Sequence, residues 1–195
     1  DKLNISDEVI HEKGYTNVAL FGLDSRENDL GKGNRSDTII IASLNNDTKE
    51  VKLVSIYRDT LLELDDGSYN KANSAYSFGG PEGAVSLINR NLDMNIEKYV
   101  TVNFNALVDV IDAVGGLDLE LTHDEVVHMN NYCVETSKVT GKSYEKIEPE
   151  VDGTYHLNGV QAVSYSRIRY TEGGDFKRAE RQRLVLQKIA DKAQN

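Results

Sequence analysis

The stretch from Arg35 to Asp59, RSDTIIIASLNNDTKEVKLVSIYRD, constrains the fold more than any other. Two apolar runs, Thr38 to Leu44 and Val51 to Ile56, are rich in β-branched residues, and Asn45-Asn46-Asp47 separates them. Branched side chains suit a pleated surface, while Asn and Asp bond their own backbone or adopt left-handed conformations, so the pattern predicts an antiparallel hairpin. A hairpin brings its open ends together, which puts Arg35 and Asp37 beside Arg58 and Asp59 at one end of a sheet. Such a cluster admits two readings. It is a surface group of ion pairs, adding little to stability. Alternatively it is a phosphate site with a metal, in which guanidinium forks hold phosphate oxygens in pairs and carboxylates hold a hard cation.

Charge narrows the choice. The net charge of -10 disfavours general nucleic-acid binding and adhesion to anionic lipid headgroups. Yet five of nine arginines (Arg167, Arg169, Arg178, Arg181, Arg183) lie in the last thirty residues. An acidic chain with a local arginine cluster suits a small anionic ligand. At 195 residues the chain can bury a sizeable single core. Cys133 stands alone, so no internal disulfide or thiolate metal site forms, and it reads as a small buried hydrophobe. There is no signal peptide and no run long enough to span a membrane; the chain opens at Asp1 and reads as a piece of something longer whose anchor has been removed.

In chain order, residues 1–16 form a polar lead-in with a short helix, and Asn17 to Leu23 a buried strand running into Asp24-Ser25-Arg26. A carboxylate just beyond a strand's C-terminal end lies where α/β sheets place ligands, although a turn aspartate looks the same. Thr60 to Tyr69 reads as a further turn or short strand. Lys71 to Phe78 reads as a short helix ended by Gly79-Gly80, and Pro81 opens a clearer one, with Ala84, Leu87, Ile88 and Leu92 at helical spacing. Tyr99 to Phe104 alternates as a strand. Asn105 to Val114 is a helix with Leu107, Val110, Ile111 and Val114 on one face and Gly115-Gly116 as its cap, and Leu117 to Leu121 alternates again. Residues 122–153 are polar and poorly patterned, which predicts solvated loop or a short helix; HDEVVH is not the H-E-x-x-H zinc motif. A helix over Val160 to Ser166 leads to Arg167-Ile168-Arg169, whose arginines share a face if extended and diverge if helical. On the last helix Arg178, Arg181 and Gln182 line one stripe near the N-terminus, where an anion, or pairing with Asp175 and Glu180, offsets their charge.

The segments NVALFGLDSR, RSDTIIIASL, VSIYRDT, KANSAYSFGG with PEGA, FNALVDVIDAVGGLDLEL, YHLNGVQAVSYSRIRY and GGDFKRAERQRLVLQKI, in that order, resemble the catalytic domain of the LytR-CpsA-Psr family of bacterial cell-wall glycopolymer ligases. Only 122–153 finds no match. The resemblance implies one α/β domain over 1–195, a central mixed sheet flanked by helices on both faces, with an apolar lipid channel. It implies a membrane-anchored protein with this domain on the extracellular side. The implied reaction moves a glycopolymer (teichoic acid, capsule or another wall glycan) from a polyprenyl pyrophosphate carrier to a peptidoglycan hydroxyl, forming a phosphodiester. Asp24 and Asp37 would hold Mg²⁺ or Mn²⁺. Arg58, Arg167 and Arg169 would grip the pyrophosphate, with Arg35, Arg178 and Gln182 in the same pocket and Asp175 and Asp59 orienting the arginines. The catalytic set is Arg58, Arg167, Arg169 and Asp37. Phosphoryl transfer needs charge placement more than covalent chemistry, in keeping with these residues.

Two further readings share much of this set. A hydrolase of the same pyrophosphate would use water as acceptor. A binding or regulatory module would hold lipid-linked glycan without chemistry. The apolar faces of the two middle helices (Ala84, Leu87, Ile88; Leu107, Val110, Ile111) are ordinary core or, by the resemblance, channel lining.

Overall fold

The computed structural model describes residues 3–6, 14–23 and 30–194. The expected lead-in helix falls largely outside the described residues, as do Asp24, Ser25 and Arg26. The chain packs as two compact units, Asp1–Asn103 and Phe104–Asn195.

The first unit contains β1 (Tyr15–Leu23), β2 (Ser36–Asn45), β3 (Val51–Ser55), β4 (Leu61–Glu63), β5 (Tyr69–Lys71), α1 (Ser74–Leu92) and β6 (Lys98–Val102). Its sheet is mixed, in the order β3-β2-β1-β6. The predicted hairpin is β2 and β3, antiparallel from Ile40↔Ser55 to Leu44↔Val51. Asn45 makes the turn, its Oδ1 accepting from the backbone N–H groups of Asp47 and Thr48. Strand β1 pairs antiparallel with β2 and parallel with β6.

Alternation along these strands separates two faces. One carries Ala19, Phe21, Ile39 and Ile41, buried in a core with Tyr76, Ala84, Leu87 and Ile88 of α1. Each fully buried side chain of this size stabilises the fold by about 2 kcal/mol. Phe21 meets the Tyr76 ring edge-on at 5.4 Å. The other face carries Leu20, Ile40, Ala42, Leu53 and Val100; Leu20, Ala42 and Leu53 are only partly buried, and Val100 is 50% exposed. The two helices expected around Gly79-Gly80 run as one element. Gly80 at φ 67, ψ -159 kinks it, a conformation open to glycine, and Pro81 starts the second half. Residues 60–71 form a small hairpin, β4 with β5.

The second unit contains α2 (Phe104–Ala113), β7 (Leu117–Leu121), α3 (His123–Thr140), β8 (Gly153–Leu157), α4 (Gly159–Arg167) and α5 (Gly174–Ala193). Strands β7 and β8 form an antiparallel ribbon. Its core is built from Val108, Ile111, Leu119, Val126, Met129, Cys133, Val163 and Val185 among others. Burial pushes the Cys133 thiol up to about 11, as expected of a small buried hydrophobe.

Two expectations change here. Residues 122–153 are not solvated loop or a short helix throughout: 123–140 form the eighteen-residue helix α3, and an irregular stretch over 141–152 leads into β8. Val126, Met129 and Cys133 give α3 a narrow buried stripe, and that suffices because its start is well capped. Thr122 and Glu125 form a reciprocal capping box. On α2 the buried positions are Val108 and Ile111, whereas Val110 is 41% exposed. The inward face is therefore rotated from the expected stripe, because Val108 and Ile111 pack in one core with α4 residues Val160 and Val163. Among the described residues, no helix is long and apolar enough to cross a membrane.

Candidate active site

The register of β2 against β3 determines what meets at the hairpin's open end. Beyond the last ladder pair, Ile40↔Ser55, the Ile56 N–H donates to the Ile39 carbonyl, so the two strands stay together toward Asp37 and Arg58, and β2 is irregular against β1 at Asp37. Arg58 Nη1 donates to Asp37 Oδ1 at 2.9 Å, with the side chains 25% and 30% exposed. Arg58 Nε lies 3.4 Å from Asp59 Oδ2, and Lys71 Nζ lies 2.6 Å from Asp59 Oδ1. The hydrogen bond from Lys71, its charge and that of Arg58 hold the Asp59 carboxyl below its usual range, against a smaller opposing effect of desolvation. The backbone is tied as well. Asn73 N–H donates to the Arg58 carbonyl at 3.1 Å and Ala72 N–H to that of Thr60 at 2.8 Å, so β5 and the start of α1 brace the segment after β3. Arg35, exposed, immediately precedes β2.

These contacts orient a guanidinium between two carboxylates at the end of a sheet, a pre-organised fork for phosphate oxygens. The donor set is hard oxygen without His or Cys, which suits Mg²⁺ or Mn²⁺ rather than zinc. Among the described residues no group of three or more His, Cys, Asp or Glu could hold a metal ion. A cation here would depend on Asp37, on phosphate oxygens of a substrate, and on Asp24, which lies outside the described residues. Magnesium is often bound through one or two carboxylates plus phosphates, so this set is compatible with it.

The second unit holds the other candidate arginines, on α4, on the loop after it and on α5. Arg167, the last residue of α4, donates from Nη1 to Thr136 Oγ1 at 3.0 Å and from Nη2 to Glu135 Oε2 at 2.8 Å. Its guanidinium carbon lies 4.5 Å from the centroid of Phe104 and 5.3 Å from that of Tyr132. Ile168 leaves the helix at φ -56, ψ 127, so Arg167 is held against α3 while Arg169 is exposed. On α5, Arg178 Nη1 lies 3.5 Å from Asp175 Oδ1, and Gln182 is half-buried. Glu180 pairs with Lys177 at 2.8 Å, not with an arginine of the stripe. Arg181 turns inward: Nε donates to Glu125 Oε1 at 2.9 Å, Nη1 to the Ile168 carbonyl at 3.3 Å and Nη2 to Thr171 Oγ1 at 2.7 Å.

Glu125, Glu135 and Thr136 are the residues sequence reading missed. All lie on α3, and the Thr122-His123-Asp124-Glu125 spacing of a capping box was the available signal.

Comparison with known proteins gives the constellation its context. The sequence profile described as the LytR_cpsA_psr family matches residues 1–195. A polyisoprenyl-teichoic acid–peptidoglycan teichoic acid transferase, TagV of Bacillus subtilis (strain 168), is 36% identical over 197 residues, covering 98% of this chain and 47% of that protein. Biofilm regulatory protein A of Streptococcus mutans is 34% identical over 197 residues, covering 95% of this chain and 46% of that protein. The chain thus spans about half the length of these curated relatives. Among solved structures, the LytR-CPS2A-psr family protein YwtF (TagT) with bound octaprenyl pyrophosphate lipid superposes with a TM-score of 0.71 at 27% identity, covering 98% of this chain and 71% of that one. The family profile spans the whole chain and the structural likeness covers 98% of it, so the chain belongs to the LytR_cpsA_psr family.

Proposed function

We propose that this chain is the catalytic part of a phosphotransferase. It would move a glycopolymer, teichoic acid or a related wall glycan, from a polyprenyl pyrophosphate carrier to a peptidoglycan hydroxyl at the outer face of the cytoplasmic membrane. The acceptor oxygen attacks the phosphorus nearer the sugar and its proton passes to bulk water. The bridging P–O bond breaks, polyprenyl phosphate leaves with the electron pair, and a phosphodiester joins polymer to wall. The observation that carries this reading is Arg58, held by Asp37 at 2.9 Å and Asp59 at 3.4 Å, in a chain whose relatives include a named teichoic acid transferase.

In this reading Arg58, Arg167 and Arg169 grip the pyrophosphate. Arg35, Arg178 and Gln182 add donors, while Asp59 and Asp175 orient the arginines. Asp37 with Asp24 would hold Mg²⁺ or Mn²⁺, which when bound neutralises charge on the phosphoryl oxygens. Because transfer of this kind is mostly electrostatic, a fixed array of forks is the larger part of the catalyst. The partly open apolar face of the sheet, with Leu20, Ala42, Leu53 and Val100, supports a seat for the prenyl chain, whereas Ala84, Leu87 and Ile88 are tightly packed core.

The test supplies a polyprenyl pyrophosphate-linked sugar and peptidoglycan strands, with Mg²⁺ or with chelator. Released lipid monophosphate and sugar joined to peptidoglycan are measured together. Metal-dependent appearance of both is expected. Lipid monophosphate without joined sugar indicates hydrolysis, and tight binding without either product indicates a binding module; each would overturn the ligase.

A further inference from the structure

Arg181 belongs to the same arginine cluster, but its side chain is only 4% exposed and its Nε, Nη1 and Nη2 all donate to groups of the second unit. Its donors go in three directions, to Glu125, to the Ile168 carbonyl and to the Thr171 hydroxyl. The last two acceptors bracket Arg169. Ile168, fully buried, is the residue at which the chain turns out of α4, and its carbonyl belongs to the peptide unit that carries the Arg169 N–H. Holding that carbonyl fixes the peptide plane from which Arg169 projects. Holding Thr171 fixes the loop on its other side.

Glu125 is fixed in turn. Its Oε1 accepts from Arg181, while Oε2 accepts from the Thr122 backbone N–H at 3.1 Å in the capping box of α3. A carboxylate bound through both oxygens, facing a buried guanidinium, has little rotational freedom left. The chain of contacts therefore runs from the N-terminus of α3, through Glu125 and Arg181, to both sides of Arg169. Arg167 is independently held on the same helix by Glu135 and Thr136.

We propose that Arg181 and Glu125 are a positioning pair, which touches no substrate and sets the direction in which Arg169 presents its guanidinium to the pyrophosphate. This rests on the proposed function. It adds that the two ends of the 168–171 loop are aligned by a buried ion pair. Truncating either partner to alanine endangers the fold, because the other is left buried without charge or hydrogen bond, and Glu125→Gln, which keeps an acceptor oxygen for Arg181, is used only with thermal unfolding confirming that it is folded. The milder perturbation is Thr171, half-buried at the edge of the network. Thr171→Val deletes the hydroxyl and keeps the ion pair; Thr171→Ser restores it. Glu125→Gln keeps shape and removes charge.

The experiment measures binding of two probes to the whole chain: geranylgeranyl pyrophosphate, and geranylgeraniol as the same chain without phosphate. Mispointing one of several arginines is expected to weaken pyrophosphate binding about tenfold in Thr171→Val, and more in Glu125→Gln, with alcohol binding unchanged and Thr171→Ser near wild type. Equal loss for both probes would mean a purely structural role and overturn the proposal. Wild-type pyrophosphate affinity in both Thr171→Val and Glu125→Gln would overturn it while leaving the proposed function standing. A wild-type chain that does not distinguish pyrophosphate from alcohol would overturn the functional reading and this inference with it.

Discussion

Replacing Arg58 with alanine separates the two things this side chain does. Structurally, it donates to Asp37 at 2.9 Å with both side chains about a quarter exposed (25% and 30%), and it approaches Asp59 at 3.4 Å. A hydrogen bond between charged groups contributes about 1.5–3 kcal/mol when well shielded, and partial exposure puts this one near the lower end. Asp59 keeps Lys71 at 2.6 Å, so the loss falls mainly on Asp37. The expected cost to folding is about 1.5 kcal/mol, or a fall of about 3–6 °C in Tm for a chain of this size. Catalytically, an arginine that stabilises phosphoryl-transfer charge is worth about a thousandfold or more in rate, equivalent to about 4 kcal/mol. The two effects differ enough to be told apart on one sample, by thermal unfolding and by the appearance of lipid monophosphate and joined sugar. Arg58→Ala is expected to remain folded with turnover reduced about a thousandfold. Arg58→Lys keeps the charge but loses the planar fork, and is expected to fall in between. Ligation by Arg58→Ala within about threefold of the wild-type rate would refute the assignment of this residue to the pyrophosphate.

Two further predictions concern the second unit. A Cβ on Gly159 would lie 2.4 Å from the Val108 carbonyl oxygen and 2.7 Å from Val108 Cγ1, and the Gly159 N–H donates to Asp112 Oδ1 at 2.7 Å. Gly159→Ala is therefore expected to lose about 3 kcal/mol in denaturant unfolding, and a loss under about 0.5 kcal/mol would show that α2 and α4 separate easily. Burial, reinforced by the charge of Glu125, pushes the Tyr165 phenol up to about 12 from 10.0. A phenol with a raised folded pKa keeps its contribution below the unfolded value and loses it as pH climbs toward the folded one. Stability should thus fall by about 1.4 kcal/mol per unit between about pH 10 and pH 12, with Tyr165→Phe removing that part of the slope.

Much of the first unit was legible because its signals are local. The alternation in 38–44 and 51–56, interrupted by Asn45-Asn46-Asp47, determines both the hairpin and the meeting of Asp37 with Arg58. The kink at Gly80 followed from Gly79-Gly80-Pro81. Helix α3 was not legible from periodicity, since three buried apolar residues in eighteen positions make a weak stripe; its cap was the better signal. On α2, Val110 is exposed and Val108 buried because which of these two valines, two residues apart, faces inward depends on where α4 packs. Among the arginines, sequence spacing placed Arg178, Arg181 and Gln182 on one stripe without showing that both arginines are buried or that Arg181 is held by Glu125. Its partner Glu125 lies 56 residues away, and no local pattern encodes that distance.

The β2–β3 hairpin keeps its chemistry at one end and its turn at the other. Five cross-strand pairs, Ile40↔Ser55 through Leu44↔Val51, hold the ladder, and the eight residue steps from Asp37 to Asn45 put the turn about 25 Å from the Asp37–Arg58 contact. Asn45 and Asn46 are tied to the start of β1, through Tyr15 and through Gly14 and Thr16 respectively, whereas Thr48 and Lys49 are exposed. Peptide inserted between Thr48 and Lys49 would lengthen a surface loop at small entropic cost and leave the ladder's register intact. That position is a natural attachment point for a fluorophore or a surface tether, from which substrate arrival at the far end could be watched without modifying the residues that receive it.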